Sequence, residues 1–320
     1  MRRGGVMSLV SGLLLGCVAA LFPAGRGAEA REARVVVDFQ YAEAREFSEG
    51  LAAVRSGDLW GYIGVTGRVA VPFRFKTPEA GRFSEGVAFV GGHFIDTKGN
   101  PAFGSGDETK TFERASSFSE GLAAVQSNGR WGYIGPGGLF TIPPTYEDAG
   151  DFSGGMAPVR KNGLWGYIDA QGRMLINPRF LKAWSFGDIE AVPSGNNRRL
   201  AAVNFEGRIG YIDRSGRFVI RPVYDEGGTF RNGLAPVRGS GARNDWGYVD
   251  ASGREMVPRR FHGAGTFEGG LAPVATDARW GYIDVKGRMV LNAFYDSARP
   301  FSEGLAAVEQ DGKWGYIQVK

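Results

Sequence analysis

Apolar and polar residues alternate along this chain in short segments that recur about every 34 residues, as from Trp131 to Trp165. In one segment Phe218, Ile220 and Tyr224 face one way and Arg217, Val219 and Arg221 the other, the period of a half-buried β-strand. Two shorter apolar segments precede each such strand, and glycine-containing turns separate them. The pattern predicts an all-β protein.

Eight copies of one unit occupy essentially all of residues 34–320. Each copy opens with F-x-x-G-[LVM]-A-x-V or a decayed form of it, at Phe47, Phe83, Phe118, Phe152, Phe186, Phe230, Phe267 and Phe301. A W-G-Y-[IV] segment follows in six copies, at Trp60, Trp131, Trp165, Trp246, Trp280 and Trp314. The other two copies lack the tryptophan and read Gly92-His93-Phe94-Ile95 and Ile209-Gly210-Tyr211-Ile212.

These motifs resemble the WG repeat, also called the KWG repeat. The resemblance implies a bacterial repeat protein with a binding or scaffolding role, and it supplies no catalytic residue. The chain departs from the family pattern in the two tryptophan-less copies and in an insertion between Phe186 and Leu200.

The unit predicts a three-stranded antiparallel meander. Asp169 and Gly172 mark a tight turn in which the aspartate bonds the backbone ahead and the glycine takes a positive φ. A proline near the middle of the third strand removes a hydrogen-bond donor, so this strand is expected at a sheet edge. The prolines concerned are Pro72, Pro178, Pro222 and Pro258.

One meander cannot bury its aromatic face alone, so the copies must stack. We expect a tandem array of eight meanders stacked as a curved β-solenoid. Residues 34–41 align with the third strand, whereas the chain stops after the second, at Trp314–Ile317. In the alternative architecture, a closed propeller-like ring, this spare first strand would complete the last copy.

Residues 1–30 are predicted to be a signal peptide, cleaved after Ala30, with the WG-repeat array at 31–320. Arg2 and Arg3 precede the apolar run Met7–Phe22, and Ala28-Glu29-Ala30 supplies a cleavage motif. The expected location is therefore periplasmic or secreted, with no transmembrane segment in the mature chain. In a second interpretation a lipobox-like sequence ends at Cys17 and the protein is lipid-anchored there. In a third interpretation the apolar run is a membrane anchor, but it is shorter than the roughly 20 residues that are needed to span a bilayer.

The composition weighs against catalysis. The chain has one cysteine, inside the N-terminal apolar run, and two histidines, His93 and His262. Thiol nucleophiles and cysteine metal sites are thus excluded from the array, and a catalytic triad or multi-histidine metal site would have to be built from these two histidines. We expect no metal and no cofactor. The formal net charge of +4 is no electrostatic footprint for nucleic acid.

Two recurring sets of residues have alternative interpretations. The six motif tryptophans are expected to form the structural repeat core, and the alternative is a row of ligand-stacking platforms. Glutamates recur in F-S-E-G at Glu49, Glu85, Glu120 and Glu303. We expect them to serve turns, because calcium loops and glycosidase pairs need several carboxylates close together.

Residues that the repeat does not require are the predicted binding candidates, because loops on a rigid scaffold commonly bind ligands. The candidates are Trp184, Asp188, Glu190, Asn196, Asn197, Arg198, Arg199, Arg243 and Asn244. The polar stretch Gly104–Thr111 is a further irregular segment. The hypothesis is an exported, non-enzymatic scaffold that binds a protein or an envelope polymer. The alternative is a carbohydrate-binding or glycan-cleaving envelope protein.

Overall fold

The computed structural model describes residues 31–104, 110–188, 199–239 and 245–319, and their regular structure is entirely β. The three predicted strands recur along the chain, which confirms the all-β array of antiparallel repeats. The structure adds a fourth strand of only two residues at the start of most repeats. Such a segment is too short to carry a period-2 pattern, so the sequence did not reveal it.

The strands follow the repeats in chain order, except that the first, β1 (Ala33–Tyr41), belongs to the last repeat. Repeat 1 holds β2 (Glu43–Ala44), β3 (Leu51–Ser56), β4 (Leu59–Gly64) and β5 (Val69–Phe75). Repeat 2 holds only β6 (Val87–Val90) and β7 (His93–Asp96), with isolated bridges at Ala80 and Pro101. Repeat 3 holds β8 (Arg114–Ala115), β9 (Ala123–Ser127), β10 (Arg130–Ile134) and β11 (Phe140–Tyr146).

Repeat 4 holds β12 (Asp148–Ala149), β13 (Ala157–Lys161), β14 (Leu164–Ile168) and β15 (Met174–Phe180). Repeat 5 holds β16 (Lys182–Ala183), β17 (Gly187–Asp188), β18 (Arg199–Phe205), β19 (Arg208–Ile212) and β20 (Phe218–Gly227). The end of β20 continues into repeat 6, with β21 (Ala235–Gly239), β22 (Trp246–Val249) and β23 (Glu255–Phe261). Repeat 7 holds β24 (Gly263–Ala264), β25 (Leu271–Thr276), β26 (Arg279–Asp284) and β27 (Met289–Tyr295). Repeat 8 holds β28 (Ser297–Ala298), β29 (Ala306–Gln310) and β30 (Lys313–Val319).

The long last strand lies at the edge of its sheet in most repeats, as the prolines predict; strand β5, for example, pairs only with β4. The prediction is wrong for β20, which contains Pro222 and pairs with both β19 and β21. Its pairs with β21 begin at Tyr224, beyond the proline, so the missing donor does not prevent them. The glycine of the W-G motif allows the two backbones to meet at a bulge between the Trp60↔Phe75 and Tyr62↔Val71 pairs. A Cβ on Gly61 would lie 2.8 Å from the Val71 carbonyl oxygen. No larger residue fits there without a shift of the strand.

The F-x-x-G turns are two-residue turns with both central residues left-handed. Ser48 bridges to Leu51, and between them Glu49 and Gly50 have φ of 55° and 75°. Positive φ at both positions is the type I′ geometry, whose twist matches that of the flanking strands. The recurring glutamates therefore occupy turns, at a backbone conformation that glutamate rarely adopts.

The array closes into a ring, so the favoured open solenoid is wrong and the alternative closed ring is the observed architecture. Strand β1 pairs antiparallel with β30, with Ala33 opposite Val319 and Tyr41 opposite Trp314. The first strand of the chain thus completes the sheet of repeat 8. The described strands form seven sheets, because repeats 5 and 6 share one. Joined in a closed ring, they form a β-propeller in which each repeat is a blade.

Blades contact one another through a repeated tyrosine–phenylalanine pair. Each W-G-Y tyrosine packs on the opening phenylalanine of the next repeat, with ring centroids 4.8 Å apart for Tyr62 and Phe83 and 4.8 Å for Tyr316 and Phe47 across the closure. The tyrosine hydroxyl also donates to a backbone carbonyl of that next repeat, 2.7 Å from Tyr316 to Arg45. The contact that closes the ring is therefore the same as those between neighbouring repeats inside the array.

Strand direction assigns the connections to two faces of the ring. The F-x-x-G turns and the D-x-x-G turns lie on one face, which we call the turn face. The hairpins that join the first two long strands of a repeat, such as Ser56–Leu59 between β3 and β4, lie on the other face together with the crossings between repeats. We call it the hairpin face.

Candidate functional site

Repeat 2 is the shortest blade among the described residues, and its irregularity creates the main candidate site. Its strands β6 and β7 have four residues each, and they are joined directly through Gly91 and Gly92, both with positive φ. Gly92 stands where six other repeats have the motif tryptophan. In repeat 3 that residue, Trp131, packs into the cluster that Phe152 of the next repeat also joins. The space that a tryptophan would fill between repeats 2 and 3 is therefore left open.

A cavity of about 690 Å³ occupies this space, and we call it the axial cavity. It is lined by residues of four consecutive repeats, including Arg45 and Glu46 of repeat 1 and Ala149 and Asp151 of repeat 4. Only the axis of a ring lies within reach of four blades, so the cavity extends from the shortened hairpin into the central channel. Its volume is in the range of small-molecule and peptide-anchor pockets.

Charged side chains of both signs line the axial cavity. They are Arg45, Glu46, Glu79, Arg82, Glu113, Arg114 and Asp151. Several already have partners: the Arg45 guanidinium lies 5.6 Å from the Trp60 ring centre, and the Glu113 carboxylate accepts the Gly129 N–H at 3.1 Å.

Three other charges in the cavity remain available to a ligand. Within the described ranges, the side chains of Glu79, Arg82 and Asp151 make no hydrogen bond or ion pair. Glu79 and Arg82 lie in the segment between β5 and β6, and Asp151 lies in repeat 4. The three side chains therefore line different parts of the cavity wall. The cavity thus offers one guanidinium and two carboxylates to a ligand.

Trp184, the tryptophan outside the repeat motif, has a structural explanation. It lies in the short segment before Phe186, and its backbone carbonyl accepts the Tyr167 hydroxyl at 2.8 Å. Its half-buried ring packs on the cluster that contains Ile209, the residue that replaces the motif tryptophan in repeat 5. Lys182 Nζ covers the ring at 4.8 Å. Trp184 therefore fills space that the lost motif tryptophan leaves.

Asp188 and Arg199 are paired at the base of the insertion. Strands β17 and β18 set them opposite each other, and Arg199 Nε lies 3.0 Å from Asp188 Oδ1. Arg199 also donates to Ser153 Oγ at 2.7 Å and lies 4.0 Å from a Glu120 carboxylate oxygen. The insertion thus replaces the F-x-x-G turn of repeat 5, and Arg199 links repeat 5 to repeats 3 and 4 on the turn face.

The remaining predicted candidates lie outside the described residues: Glu190, Asn196, Asn197, Arg198, Arg243 and Asn244. Their described neighbours belong to different faces of the ring. Asp188 and Arg199 are on the turn face, whereas Gly239 and Asp245 end a hairpin on the hairpin face. The described ends of the two segments therefore lie on different faces.

The motif tryptophans differ in their burial. Trp60, Trp131 and Trp314 are buried, whereas Trp165, Trp246 and Trp280 are half-buried. An arginine covers several of the rings, as Arg299 covers Trp314 with its guanidinium carbon 5.0 Å from the ring centre. By contrast the six W-G-Y tyrosines, and Tyr211 in the I-G-Y of repeat 5, are fully buried. The tyrosine is therefore the more buried member of the motif, a distinction that the sequence pattern does not make.

The turn aspartates are ionised structural groups. Burial alone would raise the pKa of Asp213, but hydrogen bonds from the Ser215 hydroxyl and from the backbone N–H groups of Arg217 and Ser215 outweigh it and lower that pKa. Asp96, Asp169, Asp250 and Asp284 show the same lowering in the same turn. Within the described ranges no three side chains of the metal-ligating types cluster.

The axial cavity was missed by reasoning from the sequence. The signal was present, because the second copy lacks its tryptophan and has a shortened hairpin at Gly91-Gly92. An absent side chain indicates a cavity only once it is known which space that side chain fills in the other copies.

Solved structures that resemble this chain cover about nine tenths of it at low sequence identity, and one of them is a propeller. The propeller of Dos1 matches with a TM-score of 0.51 and 13% identity, covering 91% of this chain and 95% of that one. A crystal structure of a eukaryotic initiation factor matches with a TM-score of 0.50 and 11% identity, covering 92% and 89%. At such identities the likeness concerns the fold alone, and it agrees with the closed ring. No curated protein matches the sequence.

The class of protein is thus a β-propeller built from tandem repeats. The profile of the WG containing repeat matches residues 31–60, 60–91, 109–131, 131–165, 165–188, 209–238, 246–278 and 280–314. The chain belongs to the WG-repeat family.

Proposed function

We propose that this chain is an exported, non-enzymatic scaffold that binds a protein partner through the axial cavity. The observation that carries the proposal is the cavity itself, where Arg82, Glu79 and Asp151 lie without partners in the described structure. A peptide segment with both acidic and basic side chains complements these charges, and the ring fixes the backbone positions from which they extend. The loop residues Glu190, Asn196, Asn197, Arg198, Arg243 and Asn244 remain candidates for further contacts with the partner.

The proposal of export depends on residues 1–30, the predicted signal peptide, which would be removed by cleavage after Ala30. In the alternative, the exported protein is lipidated at Cys17. No helix in the described part of the chain is long and apolar enough to cross a bilayer. A cysteine-free mature chain suits the envelope, because its stability would not depend on disulfide formation. N-terminal sequencing of the protein recovered from the envelope distinguishes cleavage after Ala30 from a blocked, lipidated Cys17.

Photocrosslinking tests the site. A photoreactive amino acid at Ser117, which lines the axial cavity, should capture one partner from envelope extract, and the same group at the exposed Ser215 should not. Charge reversal by Arg82→Glu should abolish the capture, whereas Arg217→Glu, outside the cavity, should leave it intact. Equal capture from Ser117 and Ser215, or capture that survives Arg82→Glu, would contradict the proposal.

A glycan ligand is the second candidate, because the cavity also contains Trp131 and the carboxylates of Glu79, Glu113 and Asp151. Aromatic rings and carboxylates are the side chains with which proteins bind and cleave sugars. Incubation with cell-wall glycans would show release of reducing ends if this candidate is right. Glu79→Gln or Asp151→Asn, at carboxylates without a hydrogen bond in the described structure, should then remove the activity without a change in thermal stability.

A further inference from the structure

A second cavity, of about 490 Å³, lies on the outer side of repeat 2 and has a different character. It is bounded by the end of β5 and the turn that follows, and by β7 with the segment up to Pro101. The shortened hairpin leaves this side open too, since Val90, Gly91 and His93 contribute to the wall.

Every ionisable side chain in this wall is of a basic type. Arg74, Lys76 and His93 line the cavity, and no carboxylate does. This contrasts with the axial cavity, where acids and bases are mixed. Clustered cations within a partly enclosed space attract anions more strongly than the same charges on an open surface.

Apolar residues form the rest of the wall, and one polar atom there is unsatisfied. Phe75, Val90 and Ile95 present hydrocarbon surface to the cavity. His93 Nδ1 is shielded from solvent and has no hydrogen-bond partner in the described structure. A shielded polar nitrogen without a partner is costly, and the residue that carries it lines the cavity.

Arg74 is held in place by two contacts that recur in other repeats. Its guanidinium donates to the Gly99 carbonyl and lies over the Phe75 ring at 5.1 Å. Arg179 and Arg260 make the same pair of contacts, to Gly216 and to Gly287, in other repeats. There the following repeat has a hairpin of normal length, with strands of five to seven residues. An arginine at this position thus recurs in several repeats. At Arg74 the hairpin of the following repeat is shorter, and the arginine therefore lines a cavity.

We propose that this outer cavity binds a small organic anion with an apolar body, such as an aryl phosphate or aryl carboxylate. Arg74, Lys76 and His93 would contact the anionic group, and Phe75 with Val90 and Ile95 would contact the apolar body. The site is separate from the axial cavity and does not depend on the protein-partner hypothesis.

Phenyl phosphate is the probe, and the two histidines of the chain provide the readout. In a titration followed by NMR, the imidazole resonances of His93 should shift and saturate. Those of His262, which lies exposed in repeat 7, should stay unchanged and so control for drift in pH. Phenol and inorganic phosphate, which each supply half of the proposed chemistry, should bind at least about tenfold more weakly.

Variants complete the test. Arg74→Gln or Lys76→Gln should weaken phenyl phosphate binding by about tenfold or more, in line with the loss of a charge-assisted contact. Arg179→Gln, which removes the equivalent contact in repeat 4, should leave binding unchanged. No shift of His93, equal shifts of both histidines, or equal effects of Arg74→Gln and Arg179→Gln would overturn the proposal.

Discussion

The carboxylate of Glu303, near the end of the chain, accepts a hydrogen bond of 3.0 Å from the backbone N–H of Gly50, near its beginning. The same contact joins Glu49 to Gly86 at 2.9 Å inside the array. The closure of the ring therefore uses a bond that the repeats already use between neighbours. The glutamate adopts a left-handed backbone at this position, with φ of 51° at Glu303, so the contact must offset that strain.

Glu303→Ala should lower the free energy of unfolding by about 1 kcal/mol, because an exposed backbone donor loses a charged acceptor. Urea denaturation measures the change. The matched control is Glu206→Ala: Glu206 has φ of 53° but its carboxylate makes no hydrogen bond within the described residues. If both variants lose the same stability, the loss reflects the backbone strain and not the contact between repeats.

A circular permutant tests the closure as a whole. Ala33 and Val319 are opposite each other in the β1–β30 pair, so a short linker can join the ends. New termini between Gly57 and Asp58, in the β3–β4 hairpin, interrupt no strand. We expect a cooperative thermal transition within a few degrees of the parent. A chain that lacks residues 31–41 should instead lose cooperativity, because the β30 edge is exposed; a permutant that behaves like this truncation would contradict the ring.

The strands and turns could be predicted because they depend on neighbours in sequence. The alternation in β20 and the Asp169–Gly172 turn need only local contacts, and both are found where the pattern places them. The closure is different, since it depends on the angle between successive sheets. That angle is set by packing such as the 4.8 Å contact of Tyr282 with Phe301, and no periodicity encodes it.

The candidate site was only partly predictable for a related reason. Irregular positions were identified, yet Trp184 proves to fill a packing gap beside Ile209. The two cavities beside the Gly91-Gly92 hairpin arise from a missing side chain and from strands that are each two residues shorter than in repeat 1. Reasoning from residue types favours side chains that are present, and a cavity is defined by those that are absent.

Tyr282 should contribute more to stability than Trp280. Tyr282 is fully buried, packs on Phe301 and donates to the Arg299 carbonyl at 2.8 Å, whereas Trp280 is half-buried. Tyr282→Ala should cost about 3–5 kcal/mol, as for other buried aromatic residues, and Trp280→Ala distinctly less. Tyr282→Phe should cost about 1 kcal/mol through the unpaired carbonyl. Denaturant titration gives the order, and a larger loss for Trp280→Ala would reverse this assignment.

The buried tyrosines should make the protein unstable in alkali. Burial raises the pKa of Tyr62, Tyr133, Tyr167, Tyr211, Tyr248, Tyr282 and Tyr316 above the ordinary value of 10.0. In the unfolded chain these phenols ionise near pH 10, whereas in the folded chain they stay neutral. Their contribution to stability is therefore complete below pH 10 and is lost as the pH rises above it.

Unfolding free energies measured from pH 8 to pH 12 should accordingly fall steeply above about pH 10. The phenolate absorbance should rise in one cooperative step together with the loss of folded structure. Tyr282→Phe, which removes one of the buried phenols, should make the fall less steep. A gradual rise in phenolate absorbance near pH 10 while the protein remains folded would show that these hydroxyls are accessible, which would contradict the buried contact between repeats.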